Sequence, residues 1–108
     1  MDKCIFCKIG SGEIGTEFLY EDEHVVAFSD IHPQAPIHQL VIPKQHVSEF
    51  SKLENDSVLS SVRKAIQYLI TTNNLQDKGY KIEVNGGGAQ LVDHLHFHLM
   101  GPMDKPTA

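Results

Sequence analysis

The sequence predicts an α+β domain, an antiparallel meander of about five strands with one long and one short helix. Three observations lead there. Several short segments alternate apolar and polar residues, one longer stretch repeats its apolar residues every three to four positions, and the connections are rich in proline, glycine and asparagine.

A short helix is expected near Phe6 to Gly10. Phe18 to Glu21 and Val25 to Phe28 read as two strands joined by the polar Asp22-Glu23-His24, a hairpin connection. Asp30 to Pro36 contains Pro33 and Pro36 and must be a loop, because proline lacks the donor that a central strand requires. His38 to Ile42 then resumes an extended apolar run. From about Glu54 to Thr72, Val58, Leu59, Val62, Ala65, Ile66, Leu69 and Ile70 form the stripe of an amphipathic helix, with Ser60, Arg63, Lys64 and Gln67 opposite. Its start is either Ser51 with Glu54 as a capping box or Asn55 as a simple cap, and Asn73-Asn74 ends it. Tyr80 to Val84 alternates as a strand, Gly86-Gly87-Gly88 breaks it, and Val92 to Met100 is the last strand. Pattern alone leaves the strand order open.

A chain of 108 residues fits a single domain, residues 1–108, small enough that a partner subunit would add useful apolar burial. The formal net charge of −5, with no basic run, argues against a nucleic-acid surface. No signal-peptide pattern and no run of about 20 apolar residues is visible, so neither membrane nor export is expected and the reading is cytoplasmic. In that compartment Cys4 and Cys7, spaced Cys-x-x-Cys, point to metal or redox chemistry more than to a structural disulfide.

His94, His96 and His98 alternate with Leu95, Phe97 and Leu99. On a strand rising about 3.3 Å per residue, the three imidazoles share one face at roughly 6.6 Å spacing while the apolar residues face the core. Histidines do line solvated strand faces. A cluster, however, supplies a nucleophile, a proton donor or a metal ligand near neutral pH without large tuning. The glycine run before it reads as a flexible turn or, beside the histidines, as a backbone cradle for phosphate oxygens. Cys4 and Cys7 have the spacing that grips one zinc ion, with His46 and His94 available to complete a tetrahedral set. A thioredoxin-like redox pair, which would need a strand before Cys4, and two plain reduced cysteines are the competing readings.

His94-Leu95-His96-Phe97-His98-Leu99-Met100 resembles the His-φ-His-φ-His-φ-φ signature of the histidine-triad (HIT) nucleotide hydrolases and transferases. Cys4-Ile5-Phe6-Cys7-Lys8-Ile9, Phe28 to His38 and Leu40-Val41-Ile42-Pro43-Lys44-Gln45-His46 resemble the same family in the same order, so nearly the whole chain is covered. The Phe28 to Pro36 segment is similar to the Hint branch, the histidine triad nucleotide-binding proteins.

The resemblance implies a HIT-like α+β fold and a nucleotide hydrolase. His96, the middle triad histidine, would attack the α-phosphorus and leave a nucleotidyl-imidazole for water to cleave, with no metal needed in that step. His98, His38 and Asn85 would donate hydrogen bonds to the phosphate, and Gly88, Ala89 and Gln90 would cradle it. Asp30 would accept from ribose hydroxyls, and Phe6, Ile9, Phe28, Ile31 and Leu40 would wall a purine. Bacterial-type members imply structural zinc on Cys4, Cys7, His46 and His94, and members usually pair as homodimers through the helix and the strand before the glycine loop. The substrates implied are AMP or GMP conjugates, phosphoramidates first. Diadenosine polyphosphates, or slow turnover by a regulatory nucleotide binder, are the alternatives.

The chain departs from the Hint pattern at Ala89-Gln90-Leu91-Val92-Asp93, where Leu91 stands in place of a serine. Leucine cannot donate to a departing amine. The Asn85 to His94 segment is also shorter than in typical Hint proteins, and Gly101 to Ala108 lacks a tryptophan that some relatives carry.

Overall fold

Asp22 turns the chain between the first two strands by accepting the backbone N–H groups of His24 at 2.8 Å and Val25 at 2.9 Å, a turn closed by its own side chain. Burial pushes this carboxyl's pKa up, but those two donors and the hydroxyls of Ser61 and Tyr20 outweigh it and hold the group below its ordinary value. The structure, a computed structural model, describes residues 4–104. Its elements are α1 (Ile5–Gly10), β1 (Tyr20–Glu21), β2 (Val25–Ser29), β3 (Ile37–Pro43), a 3-10 turn at Phe50–Lys52, α2 (Asp56–Thr72), β4 (Lys81–Val84) and β5 (Phe97–Gly101).

The five strands form one sheet in the order β1-β2-β3-β5-β4, every neighbouring pair antiparallel. This is the expected α+β meander, with β5 inserted between β3 and β4. Alternation gives the sheet two faces. Val25, Ala27, Val41, Phe97 and Leu99 point to one side, where α2 lays Val62, Ala65, Ile66, Leu69 and Ile70 over them. Val26, Phe28, Leu40 and Ile42 point to the other, which α1 covers only in part through Phe6. One face is therefore sealed and the other is left with a hollow.

Asn55 caps α2: its Oδ1 accepts from Ser57 N at 2.8 Å, while Ser51 bonds to Glu49 and no capping box with Glu54 forms. At the other end Asn74 takes the left-handed conformation, φ 57°. Asn74 N–H then reaches Thr71 O at 3.1 Å and Leu75 N–H reaches Ile70 O at 2.9 Å, the paired bonds of a Schellman stop, with Leu75 buried beneath it.

Three strands are shorter than the sequence suggests, β4 only by Tyr80, which lies outside Lys81–Val84. β1 keeps only Tyr20–Glu21 of the expected Phe18 to Glu21, because Phe18 leaves the ladder to pack beside Phe28 and Leu40. The last strand was expected from Val92, and the ladder begins only at Phe97. Upstream of it, Leu95 N–H donates to Val47 O at 2.6 Å and His94 bonds to Pro43 O at 2.8 Å, which draws the segment off the sheet. No helix among the described residues is long and apolar enough to cross a membrane.

Candidate active site

The half-covered face of the sheet holds a cavity of about 490 Å³, in the size range of small-molecule sites. Its floor follows the strand register. Phe28 lies opposite Leu40, Leu40 opposite His98, and His98 opposite Glu83, so one row crosses β2, β3, β5 and β4 from apolar to polar. α1 closes the apolar end with Phe6 and Ile9.

His96 sits 4% exposed at the centre, its ring 5.1 Å from that of Phe6 and 5.0 Å from that of His98. These two histidines are closer than the roughly 6.6 Å of a regular strand, because His96 precedes the ladder and His98 lies within it. The hydrogen-bond network assigns the tautomers. His96 Nδ1 faces the carbonyl of His94 at 2.8 Å, so it carries the proton and donates, leaving a lone pair on Nε2.

The neighbouring pair is fixed from the other direction. The backbone N–H of Gln34 donates to His38 Nδ1 at 3.0 Å, so His38 holds its proton on Nε2. That N–H faces His98 Nδ1 at 2.8 Å and Asp30 Oδ2 at 3.3 Å. His98 therefore accepts on Nδ1 and presents Nε2–H as a donor. Burial lowers the His98 pKa, the charges His96 and His38 would carry add to the effect, and Asp30 and Glu83 oppose it. The site thus sets the Nε2 of His96, left free by the Nδ1–H bond, beside a donor N–H on His98.

Among the described residues two groups of side chains converge closely enough to hold a metal ion, Cys4, Cys7, His46 and His94 in one and Asp30, His38 and His98 in the other. Tautomers separate them. His94 gives Nε2–H to Pro43 O at 2.8 Å, which turns its Nδ1 lone pair toward Cys4 Sγ at 3.3 Å and Cys7 Sγ at 3.4 Å. His46 Nδ1 lies 3.2 Å from Cys7 Sγ. Those spacings approach the roughly 3.5 Å edge of a tetrahedron with zinc bonds of about 2.3 Å to sulfur and 2.0 Å to nitrogen. The residues fit a closed four-ligand ion. In the second group the nitrogen aimed at the centre is the protonated one on His38, so that group is a hydrogen-bond cluster and not a metal site.

Most residues singled out from the sequence meet here: Phe6, Ile9, Phe28, Ile31, Leu40 and Asp30 line the cavity, as do His38, Asn85, Ala89, His96 and His98. Gly88 and Gln90 do not; Gly88 N–H donates instead to Gln90 Oε1 at 2.9 Å on the outside of the turn. Sequence reading missed Gln34, whose contribution is a backbone N–H, and Glu83, whose place two residues before Asn85 was the available signal.

A family model described as "Scavenger mRNA decapping enzyme C-term binding" matches residues 3–108. The chain is 41% identical over 105 residues to Protein HitA of Neisseria gonorrhoeae, covering 94% of this chain and 97% of that one. It is similar in structure to a HIT family hydrolase from Clostridium thermocellum, with a TM-score of 0.90, 37% identity, and 100% and 97% of the two chains covered. The chain belongs to the histidine-triad (HIT) family. A further HIT relative, the adenosine 5′-monophosphoramidase of Candida albicans, is 39% identical over 111 residues, covering 96% of this chain and 73% of its own. In this HIT protein the three triad histidines divide their work: His94 turns its ring to the cysteines, while His96 and His98 face the cavity.

Proposed function

We propose that this protein is a hydrolase of purine nucleoside phosphoramidates and related nucleotidyl conjugates, acting through a nucleotidyl-histidine intermediate. The observation that carries the reading is the lone pair left on His96 Nε2 inside the cavity by the Nδ1–H bond to His94 O. That nitrogen forms a bond to the α-phosphorus, and the P–N bond of the substrate breaks with its electron pair going to the amine. The amine takes a proton from water entering the site. Water oxygen then bonds to phosphorus, the His96–phosphorus bond breaks, and His96 returns neutral. His98 Nε2–H and Asn85 hydrogen-bond the non-bridging oxygens as charge builds on them, with His38 holding His98 in position. Ala89 lines the cavity beside the phosphate, while Gly88 and Gln90, bonded to each other, hold the turn that carries it. Asp30 receives the ribose hydroxyls, and Phe6, Ile9, Phe28, Ile31 and Leu40 enclose the base.

Cys4, Cys7, His46 and His94 hold a structural zinc ion in this reading, and no step of the reaction runs through it. The relatives' activities support hydrolysis of AMP conjugates, as in the phosphoramidase of Candida albicans. The protein works in the cytoplasm as a homodimer, with no nucleic-acid or membrane partner. A second reading, a nucleotide binder with slow turnover, draws on Leu91, which stands 97% exposed at the cavity and offers a departing amine no proton.

The test is hydrolysis of a fluorogenic adenosine phosphoramidate with intact-mass detection of the adenylylated enzyme. Wild type should turn over and His96→Ala should lose at least about 1,000-fold, the scale of removing a nucleophile. Turnover retained in His96→Ala would end this mechanism. Tight nucleotide binding without turnover in wild type would favour the second reading.

A further inference from the structure

We infer that Glu83 sorts substrates by the charge of their departing group, favouring conjugates that release an ammonium-bearing amine and rejecting those that release a phosphate chain. The inference rests on the proposed reaction and names the substrate class for it.

Position comes first. The row Phe28, Leu40, His98, Glu83 runs from β2 to the edge strand β4. With the base against Phe28 and Leu40 and the phosphorus over His96 and His98, a departing group that continues across the sheet lies over Glu83. Glu83 lines the cavity and is only half-buried there.

Commitment comes second. Asp30, the other carboxylate in the cavity, is engaged: one oxygen accepts His32 N–H at 2.8 Å and the other lies 3.3 Å from His38 Nε2. The Glu83 side chain makes no hydrogen bond or ion pair among the described residues, and Lys81, next on the same face of β4, does not pair with it. Besides its field on His98, its charge is open to whatever fills the cavity.

The third observation is what the lining lacks. No lysine or arginine is among the described residues that line the cavity, and the basic groups among them are histidines, of which His98 is held toward the neutral form. A polyphosphate departing group would bring several negative charges beside a bare carboxylate with no fixed cation to receive them. An ammonium at the same place would complete an ion pair. In a partly dry site one such charge, at about 7 Å, shifts affinity by roughly tenfold in either direction.

The experiment uses adenosine phosphoramidates of equal chain length whose amine ends in ammonium, methyl or carboxylate, with diadenosine tetraphosphate beside them. Wild type should show kcat/KM for the ammonium compound about 100-fold above the carboxylate compound, the sum of two such shifts. Glu83→Gln, which keeps shape and removes charge, should bring that ratio within about threefold while the methyl compound changes little, and Glu83→Lys should invert it. The wild-type ratio should also shrink in high salt. A wild-type ratio near one, or a ratio unchanged in Glu83→Gln, overturns the inference. If none of the compounds is turned over, the proposed reaction fails separately. Charge sorting is then read from the Kd of the same compounds on His96→Ala with and without Glu83→Gln, where equal affinities overturn it.

Discussion

His98 is held by histidines on two sides, and this makes its protonation a stability term as well as a catalytic one. Burial and the charges His96 and His38 would carry lower its folded-state pKa below the ordinary histidine value of about 6.5. The unfolded chain therefore binds this proton first. Stability contributed by neutral His98 is present above about 6.5 and is lost as pH falls from there through the lowered folded-state pKa. Urea melts of wild type and His98→Asn between pH 7.5 and 4.5 should converge toward the acid end, because the variant lacks this one titration while sharing the others. A wild-type-minus-variant difference that does not change with pH would refute the linkage. His96 is itself nearly enclosed, against Phe6, so His96→Ala is expected to cost about 1–2 kcal/mol in addition to turnover, less than a full core truncation. Metal content should survive it.

At the scale of elements, α1 does two jobs through one turn of chain. Cys4 and Cys7 bring two sulfurs to His46 and His94, and between them in sequence Phe6 packs edge-on against both His94, at 6.0 Å, and His96, at 5.1 Å. A metal on the four ligands would staple α1 to the turn after β3 and to the segment leading into β5. Chelation or Cys4→Ser should then cost about 3–4 kcal/mol, the linkage expected for a ligand held near a thousandfold above its Kd. For a domain of this size that is a fall in melting temperature of roughly 10–20 °C. Differential scanning calorimetry with metal analysis checks it: a Cys4→Ser protein that melts like wild type while lacking metal would show the cluster to be dispensable for stability.

At the scale of the whole molecule, the sheet of the described residues has two edge strands, β1 and β4, and β4 is the longer. β4 ends the sheet beside β5, with Ile82 47% and Val84 37% exposed on the side that faces α2. An edge strand with free backbone donors and apolar side chains is a template for pairing, and two copies related by a two-fold axis satisfy it together. This edge is the surface we propose for the homodimer. Light scattering should give about twice the 12.1 kDa chain mass for wild type and the single-chain mass for Ile82→Lys. A monomeric wild type would remove the dimer from the model of function.

Periodicity carried much of this protein into view before any coordinates. The α2 stripe, the hairpin around Asp22 and the alternation of Leu95, Phe97 and Leu99 with the histidines are local patterns, set by which side of a helix or strand can be buried, and each reappears in the fold except at Leu59, which was placed in the stripe but lies exposed. The cavity lining on β2 and β3 followed the same way, through resemblance in segments whose order along the chain was intact. What periodicity does not contain is any term for partners distant in sequence. β5 enters between β3 and β4, and the bonds of His94 to Pro43 and Leu95 to Val47 shorten it, because backbone groups 51 and 48 residues away compete with the ladder. The same reason separates the chemistry of the histidines. Sequence supplied seven imidazoles; which nitrogen of His96, His94 and His38 bears a proton was decided by the carbonyls of His94 and Pro43 and the N–H of Gln34, backbone groups that no side-chain pattern reveals.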